Sequence, residues 1–295
     1  LQPGTMNLAG KAPQWERCFD PSAESDPTRY AGRYAGFVSY VTQRFQPDAL
    51  VLGRTMNRYE GACGRQAYDA MVELVHAAHE RLSEGGSPPT TLFEVDVEDL
   101  YGLPKVAGRC VGLSFEACFE ERKSLLDGLR VDALALHTMP ALVLEETEMW
   151  PPDWLERVIE ASPIAQSAIS ATSLPASPLA QQSAGGGPCV SLVEADEVLQ
   201  RAWLNTLLAS VENKGISWLA WYPLRDLVDA EVSSSCPCSG DEDICFYLDH
   251  VLEERALAMR RLVAAGLWNV SGAPRLGASI WADVLELEWS QESAE

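Results

Sequence analysis

The stretch PDALVLGRTMNRY, Pro47 to Tyr59, decides how the rest of the chain reads. Four apolar residues, Ala49 to Leu52, meet Gly53 and then the polar side chains of Arg54, Thr55, Asn57 and Arg58. A strand buried on both faces is continuously apolar, and polar residues at its C-terminal end mark where an α/β sheet opens onto a site. Two arginines, a threonine and an asparagine stand at this opening, with no carboxylate among them.

Working outward, four more runs have strand length and composition: TLFEVDV (91–97), VDALALHTM (131–139), CVSLVEA (189–195) and ISWLAWYPL (216–224). Helical spacing lies between them. YAGRYAGFVSYVTQRF puts Tyr30, Tyr34, Phe37, Val38 and Val41 on one face, and QAYDAMVELVHAAHERL does the same with Tyr68, Met71, Val72, Val75 and Leu82. Apolar strands alternating with amphipathic helices predict a parallel sheet covered by helices, an α/β fold. The five strands are expected to be parallel and adjacent in chain order.

No glycine-rich phosphate turn follows the first strand, and SAGGGP (183–188) precedes a strand, so it reads as a loop. Polar residues at the C-terminal ends of nearly every strand favour a (β/α)8 barrel of the TIM type over an open sheet. The expectation is one barrel domain over residues 1–295. Residues 161–188, rich in Ser, Ala, Pro and Gly, read as a flexible excursion with one short helix, and 233–245 as a cysteine-rich loop. Five strands and the 48 residues before the first do not fill eight strand–helix units. Either the chain enters the barrel near its third strand, incomplete at the N-terminal side, or the architecture is degenerate.

The chain has 295 residues, 47% of them hydrophobic, and a formal charge of -21. Its mean hydropathy is -0.08. So acidic a surface repels phosphates and anionic lipid, which excludes nucleic acid as a partner. No apolar run approaches the roughly 20 residues of a membrane span. The first residue is Leu1, and no signal peptide is visible, as for a processed chain or a fragment. Eight cysteines and an NVS sequon at Asn269–Ser271 point to a secreted protein with most cysteines paired. Cys236, Cys238 and Cys245 with His250 form a conceivable zinc set, but the one-residue spacing of the first pair favours a disulfide-stapled loop. His76 and His79, in HAAH, read as helix-surface histidines. No metal or cofactor is expected.

RFQPDALVLGRTMN resembles the fourth-strand segment of TIM-barrel retaining glycoside hydrolases of the endo-β-1,4-galactanase type, whose strand ends in Gly-Asn-Glu-x-Asn. TLFEVDVEDLYG, VDALALHTMP, CVSLVEADEVLQRAWL and ISWLAWYPLRD resemble their fifth to eighth strands in order, and GLWNVSGAPRLGASIWADVL resembles their closing segment. The resemblance covers residues 30–285 loosely and rests on the order of the segments.

That chemistry uses two carboxyls about 5–5.5 Å apart, a protonated acid/base and an ionised nucleophile. The resemblance puts Glu194 at the nucleophile and Thr55 at the acid/base, with Arg54 where the family has asparagine and Asn57 on the trailing asparagine. A threonine hydroxyl cannot deliver a proton to a glycosidic oxygen, whereas Arg54 would keep Glu194 ionised. Glu60 is the alternative acid. Glu94, Asp96, His137, Trp221 and Asp226 are candidate sugar contacts, with Tyr222 and Trp150 as further stacking aromatics. The implied protein is a hydrolysis-impaired barrel that binds carbohydrate or serves as a structural part of an extracellular assembly. The rival reading is an active retaining endo-glycosidase with Glu194 as nucleophile and a relocated acid.

Overall fold

A computed structural model describes residues 27–86, 88–103, 110–140, 153–177, 179–182, 189–193, 195–226 and 265–286. They fall into two compact units, the first within 1–172 and 210–220, the second within 173–209 and 221–295. Strands β1 (Ala49–Gly53), β2 (Thr90–Asp96), β3 (Ala133–Thr138) and β4 (Gln166–Thr172) precede β5 (Leu179–Gln182), β6 (Cys189–Val193) and β7 (Leu219–Trp221). One sheet has the order β1-β2-β3-β4-β7, with β1 to β4 parallel. Helices α1 (Pro27–Phe45), α2 (Met56–Cys63), α3 (Arg65–Ser83), α4 (Val97–Leu100), α5 (Phe115–Arg122), α6 (Trp154–Ala161) and α7 (Glu197–Lys214) are interleaved with the strands. This is the expected α/β architecture with a parallel sheet, and among the described strands it is not closed into a barrel.

Alternation along β2 gives the sheet two characters. Leu92 packs with Ala133, Ala135 and Ala168, and with partly buried Ala49, on one face. Farther along β2 the same face carries Glu94 and Asp96, because side chains two residues apart share a side. Phe93 points the other way and meets Tyr68 of α3 edge to face, with ring centroids 6.4 Å apart. The Tyr68 hydroxyl donates to the carbonyl of Leu125, and that of Tyr34 on α1 donates to the carbonyl of Leu52. Gly53 ends β1 where a Cβ would lie 2.8 Å from Cγ of Met56, so a larger residue would have to push the Met56 side chain aside.

Two expectations are corrected. The stretch 161–188, read as a loose excursion, contains β4, a central strand whose Ala168 and Ile169 are fully buried. Its sequence, QSAISAT, is too rich in serine and alanine to show a strand's hydrophobic period. Its small side chains are what the packing against Ala133 and Ala135 admits. Residues 189–195 were expected in the parallel sheet, adjacent to the strand before them. Instead β6 pairs antiparallel with β5 in a separate two-stranded sheet. An apolar run does not encode its partner.

Within the second unit, Gln200 donates through Nε2 to the carbonyls of Leu174, Ala265 and Gly266. Asp226 accepts from the Gly266 amide at 2.8 Å and pairs with Arg275 at 2.5 Å. Cys110 and Cys118 form a disulfide, and Cys63 is disulfide-bonded as well. Cys236, Cys238, Cys245 and His250 lie outside the described residues. Among the described residues no helix is long and apolar enough to cross a membrane.

The position of β4 has a measurable consequence. The Ile169 amide donates to the Trp218 carbonyl at 2.9 Å, and the Ser217 amide to Ser167 at 2.8 Å. Hydrogen exchange is therefore expected to protect 166–172 as strongly as 133–138. Exchange at the rate of an open loop would contradict the strand.

Candidate functional site

Beyond Gly53, Arg54 and Thr55 form the step into α2. Thr55 has φ 47° and ψ 46°, the left-handed region, and its side chain makes no cap to the helix that follows. A β-branched residue there is an outlier, since its branched Cβ crowds the backbone. Arg54 reaches over the sheet to Glu94, with Nε 3.5 Å from Oε1. The arginine side chain is 70% exposed and the glutamate's 5%, so the cation lies above the anion.

Farther along β2, Asp96 is completely buried. Its Oδ2 lies 2.6 Å from Nη2 of Arg58 and 3.3 Å from Nδ1 of His137. Parallel pairing sets Asp96 and His137 opposite each other on β2 and β3. Its other oxygen, Oδ1, accepts from the Asp99 amide at 2.8 Å and so caps α4. Asn57 closes the arrangement from α2. Its Nδ2 donates to the Asp96 carbonyl (2.7 Å) and to Asp99 Oδ2 (2.9 Å), while its Oδ1 accepts from the Asp96 amide (2.8 Å). With no solvent exposure, Asn57 positions the strand end.

Arg122, on α5, ties Asp99 at 2.7 Å and Glu60 at 3.1 Å. Glu60, the alternative acid, therefore faces a guanidinium. Glu98 is enclosed and accepts the Thr138 hydroxyl at 2.7 Å. The sequence placed Arg58 at the strand opening without a partner, and missed Glu98, Asp99 and Arg122 as members of this network. The alternating acids of EVDVED were a local signal for the first two carboxylates on one face. Nothing local marks Arg122, which is 62 residues from Glu60 in the chain.

Charge and burial set the protonation states. Burial alone would raise Asp96, but Arg58 and His137 beside it hold its carboxyl below the usual range. Burial would lower His137, but the Asp96 carboxylate outweighs it and raises the imidazole above its usual value. At Glu98 the Thr138 hydroxyl and the His137 charge are outweighed. Burial, then the Asp96 charge, push it up to about 7. Asp96, Glu98 and His137 offer ligand atoms within 4.8 Å of one another, the spacing of a metal-binding trio. The Arg58 guanidinium already neutralises Asp96 there, and a divalent ion would have to displace it.

The other sequence candidates fall elsewhere. Trp221 and Asp226 belong to the second unit. Trp221 is buried, and its indole N–H donates to the Ala265 carbonyl at 2.9 Å, whereas Tyr222 is 54% exposed. Glu194 and Trp150 lie outside the described residues. His76 accepts the Arg130 amide at 3.1 Å, and His79 Nδ1 lies 2.8 Å from Thr91 Oγ1, so the two histidines serve separate packing contacts.

Among solved structures the chain is similar to a fungal β-1,4-galactanase, at 10% identity over 88% of this chain and 70% of that one, with a TM-score of 0.53. The fold is similar to that of a TIM-barrel glycoside hydrolase. A GH53 catalytic domain from Ignisphaera aggregans is similar at 12% identity over 89% and 69% of the two chains, with a TM-score of 0.48. A β-glucosidase from Thermotoga maritima is similar at 9% identity over 87% and 68%, with a TM-score of 0.47. No protein-family model and no curated protein matches the sequence.

Two measurements probe this network. Thr55→Gly is expected to stabilise the protein by about 1 kcal/mol, because glycine enters the left-handed region without the Cβ penalty. Denaturant unfolding that showed a loss would mean that the threonine side chain makes a compensating contact. Glu98 holds its proton in the folded chain up to about pH 7 but loses it near pH 4.5 when unfolded. Its contribution to stability therefore falls as pH rises from 4.5 to 7 and is flat above that. Glu98→Gln keeps the acceptor for Thr138 and is expected to flatten this interval. An unchanged profile would show that Glu98 titrates normally.

Proposed function

We propose that the chain is a glycoside-hydrolase-like barrel with impaired hydrolysis, which acts in binding carbohydrate at its strand ends or as a structural component of an extracellular assembly. One observation carries this reading. Thr55 stands at the end of β1 where the resemblance calls for the acid/base carboxyl, and every described carboxyl near it is committed elsewhere. Glu94 faces Arg54, Asp96 faces Arg58 and His137, and Glu60 faces Arg122. Glu98 is enclosed.

Proton delivery to the leaving oxygen is worth about 10² to 10⁴ in rate. Without it an ordinary sugar alcohol departs as a poorly stabilised alkoxide. A nucleophile at Glu194 could still attack a sugar with an activated aryl leaving group, which needs no proton. The disulfide Cys110–Cys118 is compatible with an extracellular location. Sugar binding requires neither carboxyl.

The test compares an aryl β-glycoside with a natural β-linked oligosaccharide in the parent protein, Thr55→Glu and Glu194→Gln. The parent is expected to leave the oligosaccharide intact, and Thr55→Glu to gain slow turnover that Glu194→Gln removes from the double variant. Turnover of the oligosaccharide by the parent, lost in Glu194→Gln, would overturn the reading in favour of a glycosidase with a relocated acid.

A further inference from the structure

The strand ends of the first unit sort charge by depth. Arg54, 70% exposed, overlies Glu94, whose side chain is 5% exposed. Arg58, 26% exposed, overlies Asp96, which is wholly enclosed. His137 sets its imidazole against the same Asp96 oxygen. Farther along the chain, Glu98 accepts the Thr138 hydroxyl and Asp99 pairs with Arg122. What faces outward is cationic, and the anions lie beneath it. The chain as a whole carries a formal charge of -21, so this is a local inversion.

We propose that this site selects a carboxylate-bearing saccharide, a uronate, over its neutral counterpart. The inference rests on the carbohydrate reading above and adds the substrate class. Arg54 is the selecting residue. Its Nε faces Glu94, and no hydrogen bond among the described residues occupies its terminal nitrogens. A guanidinium so held on one side presents its planar fork to a ligand on the other, and that fork matches a carboxylate in two parallel hydrogen bonds. Glu94 lies below it, 5% exposed, 3.5 Å from its Nε. Thr55, next in the chain and half-buried, offers a hydroxyl to a sugar oxygen at the same step. A neutral sugar offers the guanidinium only hydroxyl oxygens, without the charge and the paired oxygens of a carboxylate.

The experiment is titration calorimetry on the full chain with three trisaccharides of one linkage: a uronate, its neutral form and a sulfated neutral form. The uronate is expected to bind at least about tenfold more tightly than the neutral sugar, a gap that narrows in high salt. Arg54→Gln is expected to shrink the gap to within about twofold, and Arg54→Lys to restore part of it, because lysine keeps the charge and loses the fork. Arg54 is exposed, so the variants are expected to fold, and their melting temperatures check this. Equal or tighter binding of the neutral sugar would overturn the uronate assignment while leaving the carbohydrate reading standing. So would a gap that survives Arg54→Gln, or sulfated sugar binding as tightly as the uronate. Binding of none of the three would overturn both.

Discussion

Asp96 is the constraint on which the strand ends depend. A carboxylate with no access to water is costly unless charge and hydrogen bonds replace its hydration. Each neighbour supplies part of that replacement: Arg58 from α2, His137 from β3, and the Asp99 amide at the start of α4. Asn57 grips the backbone of the same residue on both sides. Because the partners come from different elements, one buried charge determines where α2 begins, where β2 ends, and how β3 stands beside it.

Chemistry at this edge follows from that arrangement. A general acid needs a carboxyl that is reachable and holds its proton near neutrality. Asp96 is unreachable and ionised, Glu94 lies under Arg54, and the one carboxyl whose proton is retained to about pH 7, Glu98, is enclosed with Thr138. The same arginines that make the buried acids tolerable hold the geometry of the strand ends and stand over them as cations.

The lower part of the same face obeys a steric rule instead. Ala133, Ala135 and Ala168 bring neighbouring strands together around Leu92 with little side-chain volume. Helices cover the opposite face with aromatics, Tyr68 against Phe93. The sheet is therefore dry at one end and charged at the other, and Glu94 marks the change. Dispersion and area burial hold the first part, and paired charge the second.

The sequence by itself determined the α/β class, the places of β1, β2 and β3, and the helices between them, since apolar runs and 3.6-residue periodicity are local properties. It also determined that the end of β1 carries arginine and threonine, with no acid among its polar residues, and that Glu94, Asp96 and His137 stand at neighbouring strand ends. Tertiary structure decided the rest. Gln166–Thr172 became a central strand because its neighbours admit small side chains, which carry almost no hydrophobic signal of their own. Cys189–Val193 turned to pair antiparallel with β5, since backbone hydrogen bonds are alike in every run. Asn57 became a buried brace because Asp96 and Asp99, 39 and 42 residues away, came within hydrogen-bond reach. Arg122 joined Asp99 from another helix. Such partners are set by distance in space, and the spacing of residues along a chain does not contain it.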